Sequence, residues 1–155
     1  MTLYLLLKLL HILCSVLLLG TGLGCACYAL RAWRSGQVAL VASSFRRLVR
    51  VDWLIIVPTA IFLPLSGLGL ARLGGWPLNH TWLLGSVGLL ALAGLCWLPV
   101  LWLQMRVRNL SAEALRNGEA LPARAGRYLR IRLALGWPPL LALLVIFWLM
   151  AVKPL

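Results

Sequence analysis

The chain has 155 residues, 63% hydrophobic and 12% charged; a soluble domain of this length has no core large enough to hide that much apolar surface. A soluble globular fold is thereby excluded. The formal net charge of +12 raises nucleic acid as a partner, but the basic residues gather in two short connections between apolar runs, without interleaved aromatics, so no nucleic-acid partner is expected.

A membrane-crossing helix needs about 20 mostly apolar residues, and four stretches meet that length: 3–30, 53–71, 82–103 and 133–152. The first carries Lys8 and His11 one helical turn apart inside otherwise apolar sequence. It reads as a retained helix, not a signal peptide: no basic segment precedes it, the apolar run is too long, and arginines follow where a cleavage site would be. Tyr4, Lys8, His11, Ser15, Leu18, Gly22 and Cys25 fall on one helical face, which is the polar and small one and is expected to point into a bundle. Gly20 and Gly24 form a small-xxx-small pair expected to permit close backbone approach.

Arg31, Arg34, Arg46, Arg47 and Arg50 lie between the first two spans. Asp52, at the following boundary, is expected to cap the second span and to pair with Arg46 or Arg50. Pro58 and Pro64 within that span remove backbone donors and bend it, so the freed carbonyls must be satisfied inside the protein. Gly85, Ser86 and Gly88 give the third span similar room for close packing. The connection after it carries Arg106, Arg108, Arg116, Arg124, Arg127, Arg130 and Arg132. There Ser111 is expected to cap a short helix that runs through Arg116 and ends at Gly118, with Pro122 opening a further helix into the fourth span. Arginines 124, 127, 130 and 132 suit anionic lipid headgroups.

Five arginines in one connection and seven in the other make twelve of the 15 basic residues, against Lys8, Arg72 and Lys153 on the opposite side. By the positive-inside rule both connections are cytoplasmic and both termini face out. The expected fold class is therefore an all-α, four-transmembrane-helix bundle, a single integral membrane domain over 1–155, in a bacterial inner membrane. Trp33, Trp53 and Trp102 fall at one interface and Trp76, Trp82 and Trp148 at the other, while Trp97 and Trp137 sit deeper as packing residues.

Lys8 can snorkel to the outer headgroups. His11 is too short to do so. It is either a bundle-interior histidine hydrogen-bonded to a hydroxyl or a kinked carbonyl, or an axial ligand to haem iron, since neutral imidazole suits iron and the small-residue face leaves room for a macrocycle. Met150 and His80 lie at a compatible depth for a second axial ligand. Cys25-Ala26-Cys27 could suggest soft copper coordination, but residues two apart on a helix point about 200° apart. The four cysteines (Cys14, Cys25, Cys27, Cys96) all lie in apolar spans and are expected to behave as small hydrophobes. No nucleophile–base–acid set, phosphate-binding glycine loop or carboxylate pair is present, so no catalytic residue is assigned.

The chain resembles an uncharacterised bacterial family of predicted integral membrane proteins over nearly its whole length. The segments that carry this are Lys8-Leu-Leu-His11 with Gly20-Thr-Gly-Leu-Gly24; Asp52-Trp53 followed by Pro58, Pro64 and Ser66-Gly67; Trp97 through Arg106; and Leu135-Gly136-Trp137-Pro138 with Leu149 through Pro154. A first-span histidine followed by small residues is also similar to HemJ-type protoporphyrinogen oxidases and to CopD-type copper-resistance membrane proteins. The first similarity implies haem b at His11, although the Tyr-Leu-Pro-Arg-Leu-Phe run of those enzymes does not follow it here. The readings carried forward are membrane redox or porphyrin chemistry with haem b, a non-enzymatic accessory protein, or copper handling. Expected partners are the bilayer, anionic headgroups at the cytoplasmic arginines, and a second copy or a membrane redox protein.

Overall fold

In hydrocarbon every backbone N–H must find a carbonyl within its own segment, so long apolar runs fold as helices. The computed structural model describes residues 1–152, and those residues form α1 (Thr2–Arg34), α2 (Val38–Val51), a π-helical turn (Asp52–Ile56), α3 (Val57–Leu73), α4 (Thr81–Asn117) and α5 (Ala123–Val152). Lys153, counted above in the charge asymmetry, lies outside the described residues. Four helical units are long and apolar enough to cross a membrane: Thr2–Arg34, Val38–Leu73, Thr81–Asn117 and Ala123–Val152. The protein is an all-α, four-helix membrane bundle, as the hydropathy pattern requires.

The second span begins earlier than its apolar run. α2, the π turn and α3 are one continuous helical unit, so Asp52 lies within a helix and caps nothing. The Val57 N–H reaches the Asp52 carbonyl five residues back, the register that marks a π turn. Pro58 stands immediately after it and has no N–H to donate, which is where a helical ladder is easiest to re-phase. Downstream, the Thr59 hydroxyl donates to the Ile55 carbonyl at 2.6 Å, and that of Ser66 to the Leu63 carbonyl at 3.0 Å. These hydroxyls add bonds to the Ile55 and Leu63 carbonyls, which are not the ones four residues before the two prolines, at Leu54 and Ala60.

α4 likewise runs unbroken through the stretch expected to hold a separate helix. Ser111 is buried inside it and donates to the Val107 and Arg108 carbonyls at 2.8 and 3.0 Å, so it is not a cap. Gly118 does end the helix, at φ 67°, a conformation glycine adopts without steric cost. α5 starts directly after Pro122, as predicted.

α2 is amphipathic. Val41, Phe45, Leu48 and Val49 are buried on one side while Arg46, Arg47 and Arg50 are exposed on the other. Its apolar face joins Cys25, Ala29, Val107 and Leu129 in the main core cluster, at the arginine-rich end of the bundle. Within the spans, α4 packs most extensively on α5, and α1 packs on α3. Contacts between these two pairs, α1 with α5 and α3 with α4, are sparse. The bundle is thus two helix pairs held together at the arginine-rich end and separated by internal space.

On α1 the buried positions are His11, Ser15, Cys25, Ala29 and Ala32. Lys8 is exposed, and Leu7 is half-buried in its place, against Gly69 of α3. The 3.6-residue helical period explains this correction: stepping back four residues from His11 reaches Leu7. Gly20 and Gly24 are exposed, with no neighbour within 4 Å of a built Cβ, so they do not mediate close approach. That role belongs to Gly67 and Gly69 on α3, where a Cβ would lie 3.3 and 3.2 Å from His11 and Leu7. Trp137, read as a packing residue, is 62% exposed.

Candidate functional site

His11 is buried between α1 and α3. Its Nδ1 lies 2.7 Å from Ser66 Oγ, and the Ser66 hydroxyl donates to the Leu63 carbonyl at 3.0 Å. A serine hydroxyl has one proton. With that proton on the Leu63 carbonyl, the imidazole hydrogen sits on Nδ1 and donates to Ser66, which leaves the lone pair on Nε2. Among the described residues Nε2 makes no hydrogen bond. An imidazole anchored through one nitrogen and open at the other is the arrangement that orients a metal-ligating histidine.

A chamber of about 50 Å³ adjoins His11, walled by Ser15 of α1, Pro64 and Gly67 of α3, Ser86 of α4, and Ile146, Phe147 and Met150 of α5. Two of the three residues picked out for metal chemistry therefore share one wall set. His80 does not join them: it precedes α4 as its N-cap residue and packs edge-on against Trp76, ring centroids 5.8 Å apart. Cys25 is buried and Cys27 exposed, as their spacing predicts, so the two thiols do not converge. Among the described residues no group of three or more His, Cys, Asp or Glu converges on one point.

The Gly67 contact offers a direct probe of the α1–α3 seam. A valine there must push the imidazole away from Ser66, and overpacking of this kind costs about 1–3 kcal/mol. Gly67→Val is expected to lower the unfolding midpoint in detergent, followed by tryptophan fluorescence. An unchanged midpoint would show that the His11 ring is not packed on α3.

A second polar cluster lies nearer the arginine-rich end. Gln104 Nε2 donates to Asp52 Oδ2 at 2.5 Å, and Arg132 Nε donates to Gln104 Oε1 at 2.6 Å. Asp52, Gln104 and Arg132 are 3%, 0% and 5% exposed. Carboxylate and guanidinium make no direct ion pair; the Gln104 amide bridges them, giving a hydrogen to one and taking one from the other. Two expectations are corrected here. Asp52 pairs with neither Arg46 nor Arg50, because the π turn rotates it onto the buried face while those arginines point out. Arg132 is not a headgroup arginine, whereas Arg124, Arg127 and Arg130 are exposed.

A family model matches residues 5–154, nearly the whole chain and all four spans. The chain belongs to that family. Its description is predicted integral membrane protein (DUF2269), which agrees with the bundle and assigns no activity. No curated protein and no solved structure matches the chain. Membership of this family bears out the resemblance to predicted integral membrane proteins, and extends neither to a bacterial origin nor to the HemJ-type or CopD-type similarity.

Within this DUF2269 chain, sequence reasoning missed the Asp52–Gln104–Arg132 bridge. A signal was present. Ala125, Leu129 and Arg132 recur at helical spacing on one face of α5, and all three are buried.

Proposed function

We propose that this membrane bundle binds haem b in its interior, where His11, through Nε2, and Met150 would be the residues that hold it. Bound haem would supply one-electron chemistry, suited to electron transfer or porphyrin oxidation within a membrane. The chain's own part would be to hold and orient the group: Ser66 fixes the imidazole tautomer, and the flanking serines and glycines keep the wall small. In this reading the protein sits in a bacterial inner membrane, its arginine-rich end cytoplasmic and both termini outside. The observation that supports it is the imidazole tied through Nδ1, bare at Nε2, beside a chamber that Met150 also lines.

The donors fit; the space is narrow. A chamber of about 50 Å³ holds a water or two. A macrocycle would require Leu90 and Leu143, which wall both this chamber and the larger cavity beside it, to give way. That observation favours a second reading, in which His11 is a polar clasp between α1 and α3 in a non-enzymatic accessory protein.

An absorbance spectrum of the detergent-purified protein, before and after dithionite, separates them. Haem binding predicts a Soret band that shifts on reduction and is lost in His11→Ala. A band that survives His11→Ala overturns the ligand assignment. No band, even after expression with added haem, overturns haem binding and leaves the clasp.

A further inference from the structure

A larger internal space adjoins the His11 chamber. A cavity of about 420 Å³ lies between the α1/α3 and α4/α5 pairs, within the range of about 300–1,000 Å³ typical of small-molecule sites. Its walls are almost wholly apolar, with Trp97 of α4 among them, and the charged residues lining it are Asp52 and Arg132. Leu23, Cys27 and Trp137 line it and are also exposed on the lipid-facing surface. The cavity therefore borders the outer surface of the bundle at α1 and α5.

Arg132 is 5% exposed. Its Nε is committed to Gln104, and among the described residues neither η nitrogen makes a hydrogen bond. Asp52 is in the complementary position: Oδ2 accepts from Gln104 while Oδ1 accepts from no described residue. A buried guanidinium with unused donors is costly unless something accepts from them. Charge selects what that is. Asp52 and Arg132 balance each other, so an anionic head would leave the apolar cavity with a net negative charge. A neutral head bearing a carbonyl oxygen satisfies the guanidinium and keeps the balance.

We propose that this cavity binds a membrane-soluble quinone, its ring carbonyl accepting from the Arg132 η nitrogens and its tail leaving between α1 and α5 into lipid. The reduced, hydroxylated form fits the same site, since Asp52 Oδ1 can accept the ring hydroxyl. The polar groups that would hold the quinone, Asp52 and Arg132, do not wall the His11 chamber, although Leu90 and Leu143 wall both spaces.

The test is titration of the detergent-purified full chain with a ubiquinone analogue carrying a ten-carbon tail, followed by quenching of tryptophan fluorescence. The expected result is saturable quenching. Two variants should each weaken it at least tenfold. Asp52→Asn with Arg132→Gln removes the ionic donor while keeping charge balance and hydrogen-bonding groups. Gly136→Leu fills the cavity from α5, where a built Cβ meets nothing within 4 Å, and leaves the polar bridge intact. Quenching that does not saturate, or is the same in all three proteins, is partition into the micelle and overturns the proposal. Displacement of the quinone by equimolar oleate overturns it in favour of an anionic amphiphile. The titration uses protein without a Soret band, and haem binding is read from the spectrum alone, so failure of one reading is distinguishable from failure of the other.

Discussion

Replacing Arg132 alone by methionine is expected to destabilise the bundle by about 3–5 kcal/mol, because it leaves the Asp52 carboxylate buried without its compensating charge. Gln104 does not rescue it. Its amide would still donate to Asp52, but its carbonyl, fully buried, would lose the guanidinium that now satisfies it. Replacing all three together, Asp52→Leu, Gln104→Leu and Arg132→Met, is expected to recover most of that loss, since an apolar set of similar volume has no desolvated charge to support. Denaturation of the purified proteins in mixed detergent and SDS, followed by tryptophan fluorescence, checks both. A single variant as stable as the parent would mean that the carboxylate does not depend on Arg132. The comparison also separates stability from ligand binding. If the bridge exists to hold the helices, the triple variant loses nothing else; if it exists to present Arg132 to the cavity, the triple variant folds and no longer binds quinone.

The bundle was legible because it depends on an average. Twenty apolar residues cross a bilayer whatever their order, and the arginine clusters mark the same end whichever arginine is counted. Individual faces depend on phase, and phase is where the sequence reading slipped. A heptad-like step from His11 gives Lys8, but the helix turns Leu7 inward and leaves Lys8 in contact with its surroundings. Asp52 looked like a cap because the apolar run begins beside it, yet α2 is itself helical and the π turn carries the chain past it without a break. Nothing local distinguishes a boundary aspartate from a buried one. Its partners, Gln104 and Arg132, lie 52 and 80 positions away in the chain, and only Gln104 touches it directly. Proximity in the chain groups Arg132 with arginines 124, 127 and 130, although it shares the helix face of Ala125 and Leu129. His11 was the easier case. An imidazole deep in an apolar run has to face inward, and it does, at 8% exposure.

Phe45→Ala is expected to cost about 3–5 kcal/mol, as truncation of a fully buried aromatic does, whereas Leu95→Ala on α4 should change stability by no more than about 0.5 kcal/mol. Both remove large apolar side chains. The difference lies in the solvent that each would otherwise meet. Leu95 is 67% exposed, on a surface that faces lipid, and lipid tails are as apolar as leucine, so burial there supplies no hydrophobic drive. Phe45 is fully buried and belongs to an amphipathic helix whose other face carries Arg46, Arg47 and Arg50. That face requires water or headgroups, so exposing Phe45 exposes it to a polar medium. α4 makes the same point by its length: 37 residues span about 55 Å, well beyond a hydrocarbon core of about 30 Å, and Val107 and Ala114 on its projecting end are buried with α2 and α5 near by. The hydrophobic effect therefore acts on this protein chiefly at its arginine-rich end, where Phe45, Leu48, Val107 and Leu129 meet. Within the bilayer the helix pairs are joined by few contacts, and that is what leaves room for a cavity. If Phe45→Ala and Leu95→Ala prove equally mild, this division of labour is wrong, and the spans themselves must hold the bundle together.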